Sequence, residues 1–397
     1  MPPNSQVTDL SASRHRIPEL DAVRALMAWW VVLVHTCEFC GIHRTPFINI
    51  LWSVQAVNVF IILSGFVIFL LLDTTKESYG TFIFRRLARL YPVYLVVLLA
   101  ALASLDVTTE NVATVSSLEG WRAGIQQSTT QFLPAHILAH LSMFHGVIPE
   151  RILPFSSLAI VPPAWSLSLE WQFYLVAPLV FIWVRKKSWG WIALSGVVGI
   201  HLISTNFHMP RFATASFLPL NLGYFLLGIC SYDCFKRLSS PEARRPCLVL
   251  LYPCILTIAL LFLIERQLAV AVWVILFTPI LLMRFSTTPL DSASRFAVKI
   301  LNISWLKYLG KISFTTYLVH EVTLHWGLNL LLRQGLVTPT SVSFAALAGL
   351  ACPLTLLVSI LLHHTVELPC IAAARRWAAR PTVPISRAIS DEPSRPA

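Results

Sequence analysis

The stretch Ile50-Leu51-Trp52-Ser53-Val54-Gln55-Ala56-Val57-Asn58-Val59-Phe60-Ile61-Ile62-Leu63-Ser64-Gly65-Phe66-Val67-Ile68-Phe69-Leu70-Leu71-Leu72 carries no charged side chain. About 20 such residues in a helix cross the ~30 Å hydrocarbon core of a bilayer. The run therefore predicts a membrane-spanning helix. Nine further apolar runs follow the same rule, at 25–41, 91–105, 165–184, 189–205, 214–232, 247–264, 268–285, 312–332 and 342–362. The third run along the chain, 91–105, is short, and the first contains His35, Cys37 and Glu38, which need shelter from lipid.

Composition agrees. Of 397 residues, 56% are apolar and 12% charged, about half the charge of an ordinary soluble domain. Mean hydropathy is +0.69. A soluble enzyme, a disordered chain and a secreted disulfide scaffold are excluded. The fold class is all-α, a polytopic helix bundle of about ten transmembrane helices. The net charge of +11 lies between apolar spans, so it points to membrane anchoring and not to nucleic acid. With the N-terminus inside, 24 of the 30 Lys and Arg fall in inner segments and 6 in outer ones. That bias predicts both termini cytoplasmic, in a multi-pass protein of the cell inner (plasma) membrane. No signal-peptide pattern precedes Arg24, so the first run is read as a retained helix.

Residues 1–15 read as a cytoplasmic tail, 16–370 as the membrane domain, and 371–397 as a basic, disordered cytoplasmic tail. One outer loop is long, at about 106–164, and its His136-Ile137-Leu138-Ala139-His140 predicts an amphipathic helix that lies at the interface or re-enters the membrane. Two His at i and i+4 can bind zinc, but the Glu of the zinc-protease motif is absent. Cys37-Glu38-Phe39-Cys40 lacks a second ligand pair, and the eight cysteines read as small buried hydrophobes. No metal is expected.

Ionisable groups inside spans are costly and face a bundle interior or wet cavity. Arg24 and His35, eleven residues apart, share one helical face about 16 Å apart along the axis. His35 is suited to take and return a proton; spacing alone leaves open a packing histidine bonded to a carbonyl. Arg86 and Arg89 share a face and read either as a membrane anchor or as a guanidinium pair for a phosphorylated cytosolic molecule. Glu170 lies about 7 Å below the interfacial Trp165, with Ser166 one turn before it. Ser313, Tyr317, His320 and Glu321 form a polar stripe on one helical face.

Taken together, these segments resemble the acyltransferase 3 family, integral-membrane O-acyltransferases of bacterial envelopes with relatives in other kingdoms. Arg24 and His35 match its Arg-x10-His motif, within an opening that runs from Arg16-Ile17-Pro18-Glu19-Leu20-Asp21. Asn58 to Ile68 resembles its second helix, with Val59 where Phe is frequent. Arg86-x-x-Arg89-Leu90-Tyr91-Pro92 matches its cytoplasmic arginine motif, and Trp165-Ser166-Leu167-x-x-Glu170-x-x-Phe173-Tyr174 another signature. Gly310-Lys311-Ile312-Ser313 through His320 matches a late helix, and Glu367-x-Pro369 the closing motif.

The resemblance implies transfer of an acyl group, most often acetyl, from cytosolic acyl-CoA to a hydroxyl of a carbohydrate or glycosylated acceptor such as an exopolysaccharide. Acyl-CoA (acetyl-CoA) is then a co-substrate, with no permanently bound cofactor. It implies His35 and Glu170 as catalytic residues, Arg24, Arg86 and Arg89 at the donor, and Ser166, Ser313, Tyr317 and His320 in support. The competing expectation is a proton-coupled transporter or flippase with His35, Glu170 and His320 as a relay. Only the enzyme needs a phosphate site on the cytoplasmic side.

Overall fold

A computed structural model describes residues 17–42, 53–75, 77–185, 211–239, 268–285 and 292–379. The runs expected at 189–205 and 247–264 lie outside these residues. The described chain is helical, with one isolated bridge between Thr338 and Ser341.

In chain order the helices are α1 (Glu19–Phe39), α2 (Ser53–Thr74), α3 (Tyr79–Ala103), α4 (Leu105–Thr114), α5 (Trp121–Gln131), α6 (Leu133–Leu141), α7 (Trp165–Arg185), α8 (Leu218–Leu238), α9 (Leu268–Phe285), α10 (Ser292–Leu301), α11 (Ser304–Lys311), α12 (Ser313–Arg333), α13 (Phe344–Leu362) and α14 (Leu368–Ala378). A π-helical turn, His363–Glu367, joins the last two. Among the described residues, six stretches are long and apolar enough to cross a membrane: α1, α2, α3, Pro162–Ile182, α9 and Phe344–Ala378. Helices α8 and α12 have spanning length, 21 residues each, but hold more polar side chains.

Two elements differ from the sequence reading. Helix α3 starts at Tyr79, well before the run at 91–105, because the Ser78 hydroxyl caps it by accepting the Thr81 N–H at 3.2 Å. The arginine motif is thus inside a helix, with Pro92 at mid-helix. The tail expected from residue 371 begins as helix α14. Its Ala-rich sequence favours helix, Arg375 and Arg376 complement the C-terminal dipole, and Trp377 lies on Phe84 with ring centroids 4.4 Å apart.

Close helix approach depends on glycine. A Cβ at Gly65 of α2 would collide with the carbonyl of Phe225 on α8, and one at Gly228 with the carbonyl of Ile62. Small residues let two backbones touch where lipid gives no hydrophobic drive between helices. Gly310 likewise sets α11 against the Asp21 carbonyl at the start of α1. Helix α12 runs through the centre and is buried on almost every face. Its polar stripe is therefore interior. The loop segment 105–164 docks on the ends of α1 and α12 through an apolar cluster of Phe39, Val112, Val115, Leu118, Leu324 and Leu328. That docking fixes the start of α5 over the site.

Candidate active site

Glu321 follows His320 on α12 and meets His35 from α1. His35 Nδ1 and Glu321 Oε1 are 2.7 Å apart. The carboxylate accepts, so Nδ1 carries the proton and Nε2 keeps its lone pair. Ser53 Oγ lies 3.1 Å from that Nε2. Such a carboxylate holds an imidazole in one tautomer and stabilises the imidazolium that forms.

Arg122, from the start of α5, closes the cluster. Its Nε and Nη2 donate to the two oxygens of Glu38 at 3.1 and 3.0 Å. Its Nη1 and Nη2 donate to the two oxygens of Glu321 at 3.2 and 3.1 Å. The guanidinium also lies over the Phe39 and Trp121 rings, 4.9 and 5.2 Å from their centroids. Burial works against its charge, but the Glu321 and Glu38 carboxylates outweigh that and hold its pKa above the ordinary arginine value. Behind it, Asn111 Nδ2 donates to the His325 carbonyl at 2.8 Å.

His35, His320 and Glu321 place ligand atoms within 4.8 Å of one another, the spacing a metal ion needs. The donor set does not suit one. Both Glu321 oxygens already receive N–H groups, and a cation there would face the Arg122 guanidinium.

Three chambers adjoin one another through shared lining residues. The outer one, about 520 Å³, is lined by His35, Glu38, Ser53, Trp121, Phe155, Trp165, Tyr317, His320 and Glu321 among others. The inner one, about 80 Å³, holds Arg24, Ser64, Arg89, Ser166, Glu170, Ser313 and Tyr317. The mouth, about 290 Å³, adds Asp21, Lys311, His363 and Glu367 and shares Arg24, Arg89, Ser313 and Phe314 with the inner chamber. Tyr317 is common to the inner and outer chambers. Its hydroxyl donates to the Pro163 carbonyl at 2.9 Å and accepts from Ser166 Oγ at 2.8 Å. These bonds form the partition between the two chambers.

Most of the residues expected from sequence line these chambers, but two stand apart from their expected roles. Glu170 is not beside His35. It lies one turn past Ser166, hence on the far side of the partition, and accepts from Ser64 Oγ at 3.1 Å and from the Tyr174 hydroxyl. Arg86 lines none of the three chambers. It is buried between Phe82, one turn back on its own face, and Tyr174, with its carbon 5.9 and 6.0 Å from their ring centroids. Lys311 joins Arg24 and Arg89 at the mouth instead. Ser313 donates to the Gly310 carbonyl at 2.8 Å while lining the inner chamber.

Arg122, Glu38 and Glu321 form a unit that no sequence motif marks. Two acids within spans require a cation, and the expected outer loops hold six arginines, so the demand for a partner was visible although its identity was not.

Apolar helices around a buried acid–base cluster, with one chamber on the cluster and two more beyond Tyr317, define a multi-pass membrane protein with an enclosed polar site. A family model for the acyltransferase domain matches residues 17–364, and the chain belongs to this family, acyltransferase 3. A relative named acyltransferase MdmB, from Streptomyces mycarofaciens, is 29% identical over 346 residues, 80% of each chain. No solved structure is significantly similar to this chain. The protein is a membrane acyltransferase.

Proposed function

We propose that this enzyme moves an acetyl or related short acyl group from cytosolic acyl-CoA to a hydroxyl of a carbohydrate acceptor at the outer face of the inner membrane. The observation that carries the reading is the set of adjoining chambers from a basic mouth to the His35–Glu321 pair, interrupted by the Tyr317 hydroxyl. Arg24, Arg89 and Lys311 supply the positive groups that suit the phosphates of acyl-CoA. A thioester extended past Tyr317 meets His35 Nε2. Trp121, Trp165 and Phe155 give the outer chamber aromatic faces that suit the C–H faces of a sugar, with Glu38 and Ser53 as polar partners.

An alcohol is a weak nucleophile until its proton is removed. His35 Nε2 acts on the acyl transfer directly, either by taking that proton or by carrying the acyl group. Glu321 is its positioning residue, and Arg122 positions Glu321. The test is His35→Gln in purified protein with acetyl-CoA and a panel of glycosides. Acylation falls about 10²- to 10⁴-fold while CoA binding and insertion persist. Near wild-type turnover in this variant overturns the assignment.

A further inference from the structure

His320 is buried with one nitrogen unused. Its Nδ1 lies 2.7 Å from the backbone carbonyl of Tyr317, one turn back on α12. A carbonyl only accepts, so Nδ1 carries the proton and Nε2 holds a lone pair. That Nε2 has no hydrogen-bond partner, although His320 is fully enclosed. Its nearest aromatic neighbour is His35, at 5.1 Å between centroids and edge to face. The Nδ1–H of His35 is committed to Glu321 and cannot satisfy it. A buried, unpaired acceptor destabilises a fold, and here it belongs to a ring lining the chamber that a hydroxyl substrate would fill.

We propose that the two histidines divide the reaction: His35 Nε2 takes the acyl group from the donor, and His320 Nε2 takes the proton of the acceptor hydroxyl. This rests on the reading of His35 as the reacting nitrogen. In the first half, the His35 Nε2 lone pair attacks the thioester carbon. The C–S bond breaks and CoA leaves as thiolate, protonated by water on the donor side. The acyl-imidazolium keeps its Nδ1 proton on Glu321. In the second half, the acceptor O–H gives its proton to His320 Nε2 and the oxygen attacks the acyl carbon. The C–N bond breaks, and its electron pair returns to His35 Nε2. His320 leaves this half as an imidazolium, with Nδ1–H on the Tyr317 carbonyl, and releases the Nε2 proton to water in the outer chamber.

The geometry favours this division. Tyr317 bounds the donor side through its hydroxyl and fixes the tautomer of His320 through its carbonyl. One helical turn therefore sets both the limit of donor travel and the orientation of the second base.

The probe is acetyl-CoA labelled in the acetyl group, with water as the only acceptor. Wild-type protein takes up label on His35 and loses it slowly to water. In His320→Gln the label still forms but persists about 100-fold longer, because the attacking water has no base. Hydroxylamine, which needs no such base, clears it from both proteins. Imidazole added to His320→Ala restores release. His320→Asn gives a second readout if the first variant is poorly folded. Loss of labelling in His320→Gln, or release at the wild-type rate, overturns the division. Absence of label on wild-type protein overturns the covalent half and leaves His35 as sole base. Label on His35→Gln removes the reading of His35 itself.

Discussion

Removing the charge of Glu321 isolates what that residue contributes. Glu321→Gln keeps an oxygen that accepts from His35 Nδ1, so ring orientation has a substitute, but the carboxylate that stabilises a developing imidazolium is gone. The expected result is kcat lower by about 10²- to 10⁴-fold with the KM for acetyl-CoA within a few-fold of wild type, since the proposed donor mouth lies beyond Tyr317. Steady-state kinetics on purified protein measures the split; an unchanged kcat rejects Glu321 as positioning residue. At this scale the titratable groups were legible in the sequence and their partners were not. His35 and Glu170 were both visible as ionisable residues within apolar spans, yet helical spacing gives a face and a depth only. Which carboxylate meets the histidine is settled by α12 crossing α1, a contact 286 residues apart along the chain.

The loop segment carries an element-scale consequence. His140 on α6 and His145 just after it stack with ring centroids 4.0 Å apart, and Tyr94 of α3 lies 2.7 Å from His140 Nδ1 through its hydroxyl. Burial pushes the His145 pKa down to about 4, and burial first, then neighbouring His145 and His136, hold His140 well below its ordinary value. Both rings are neutral in the folded state, while the unfolded chain takes protons near pH 6.5. Stability from this cluster is thus complete above about pH 6.5 and is lost as pH falls towards 4, where His145 alone accounts for about 3 kcal/mol. Thermal unfolding of the detergent-solubilised protein from pH 7.5 to 4.5 measures it. His145→Phe flattens the profile; an identical acid slope in that variant refutes the assignment. The sequence predicts an amphipathic helix here, and Leu133–Leu141 is helical. It did not show that the rings face inward, because periodicity names a face without saying what covers it.

Across the whole molecule, the apolar runs were readable because a bilayer imposes length and apolarity on every span. Their order around α12 was not, since Gly65, Gly228 and Gly310 fix neighbours through backbone contacts that no hydropathy pattern encodes. That order decides where the donor can enter. The mouth gathers the first turn of α1, Arg89 of α3, Lys311 and the π-turn at one end of the bundle, while Trp121, Trp165 and the start of α5 lie around the opposite chamber. In the topology proposed here, which rests on the expected charge bias of 24 to 6, the mouth faces the cytoplasm. Sealed vesicles of known orientation should then use acetyl-CoA only from the face bearing Arg24, Arg89 and Lys311. The same vesicles labelled through single cysteines at the exposed positions Gln127 and Gln334 should react from the other face. In the double variant Arg24→Ala, Arg89→Ala, donor affinity falls by 10-fold or more on the scale of a lost charge-assisted bond, roughly 1.5–3 kcal/mol. Arg86→Ala lowers thermal stability and leaves donor affinity nearly unchanged, because that guanidinium is enclosed by Phe82 and Tyr174. Acetyl-CoA consumed equally from both faces, or a larger donor defect in Arg86→Ala than in the double variant, would place the donor path elsewhere in the bundle.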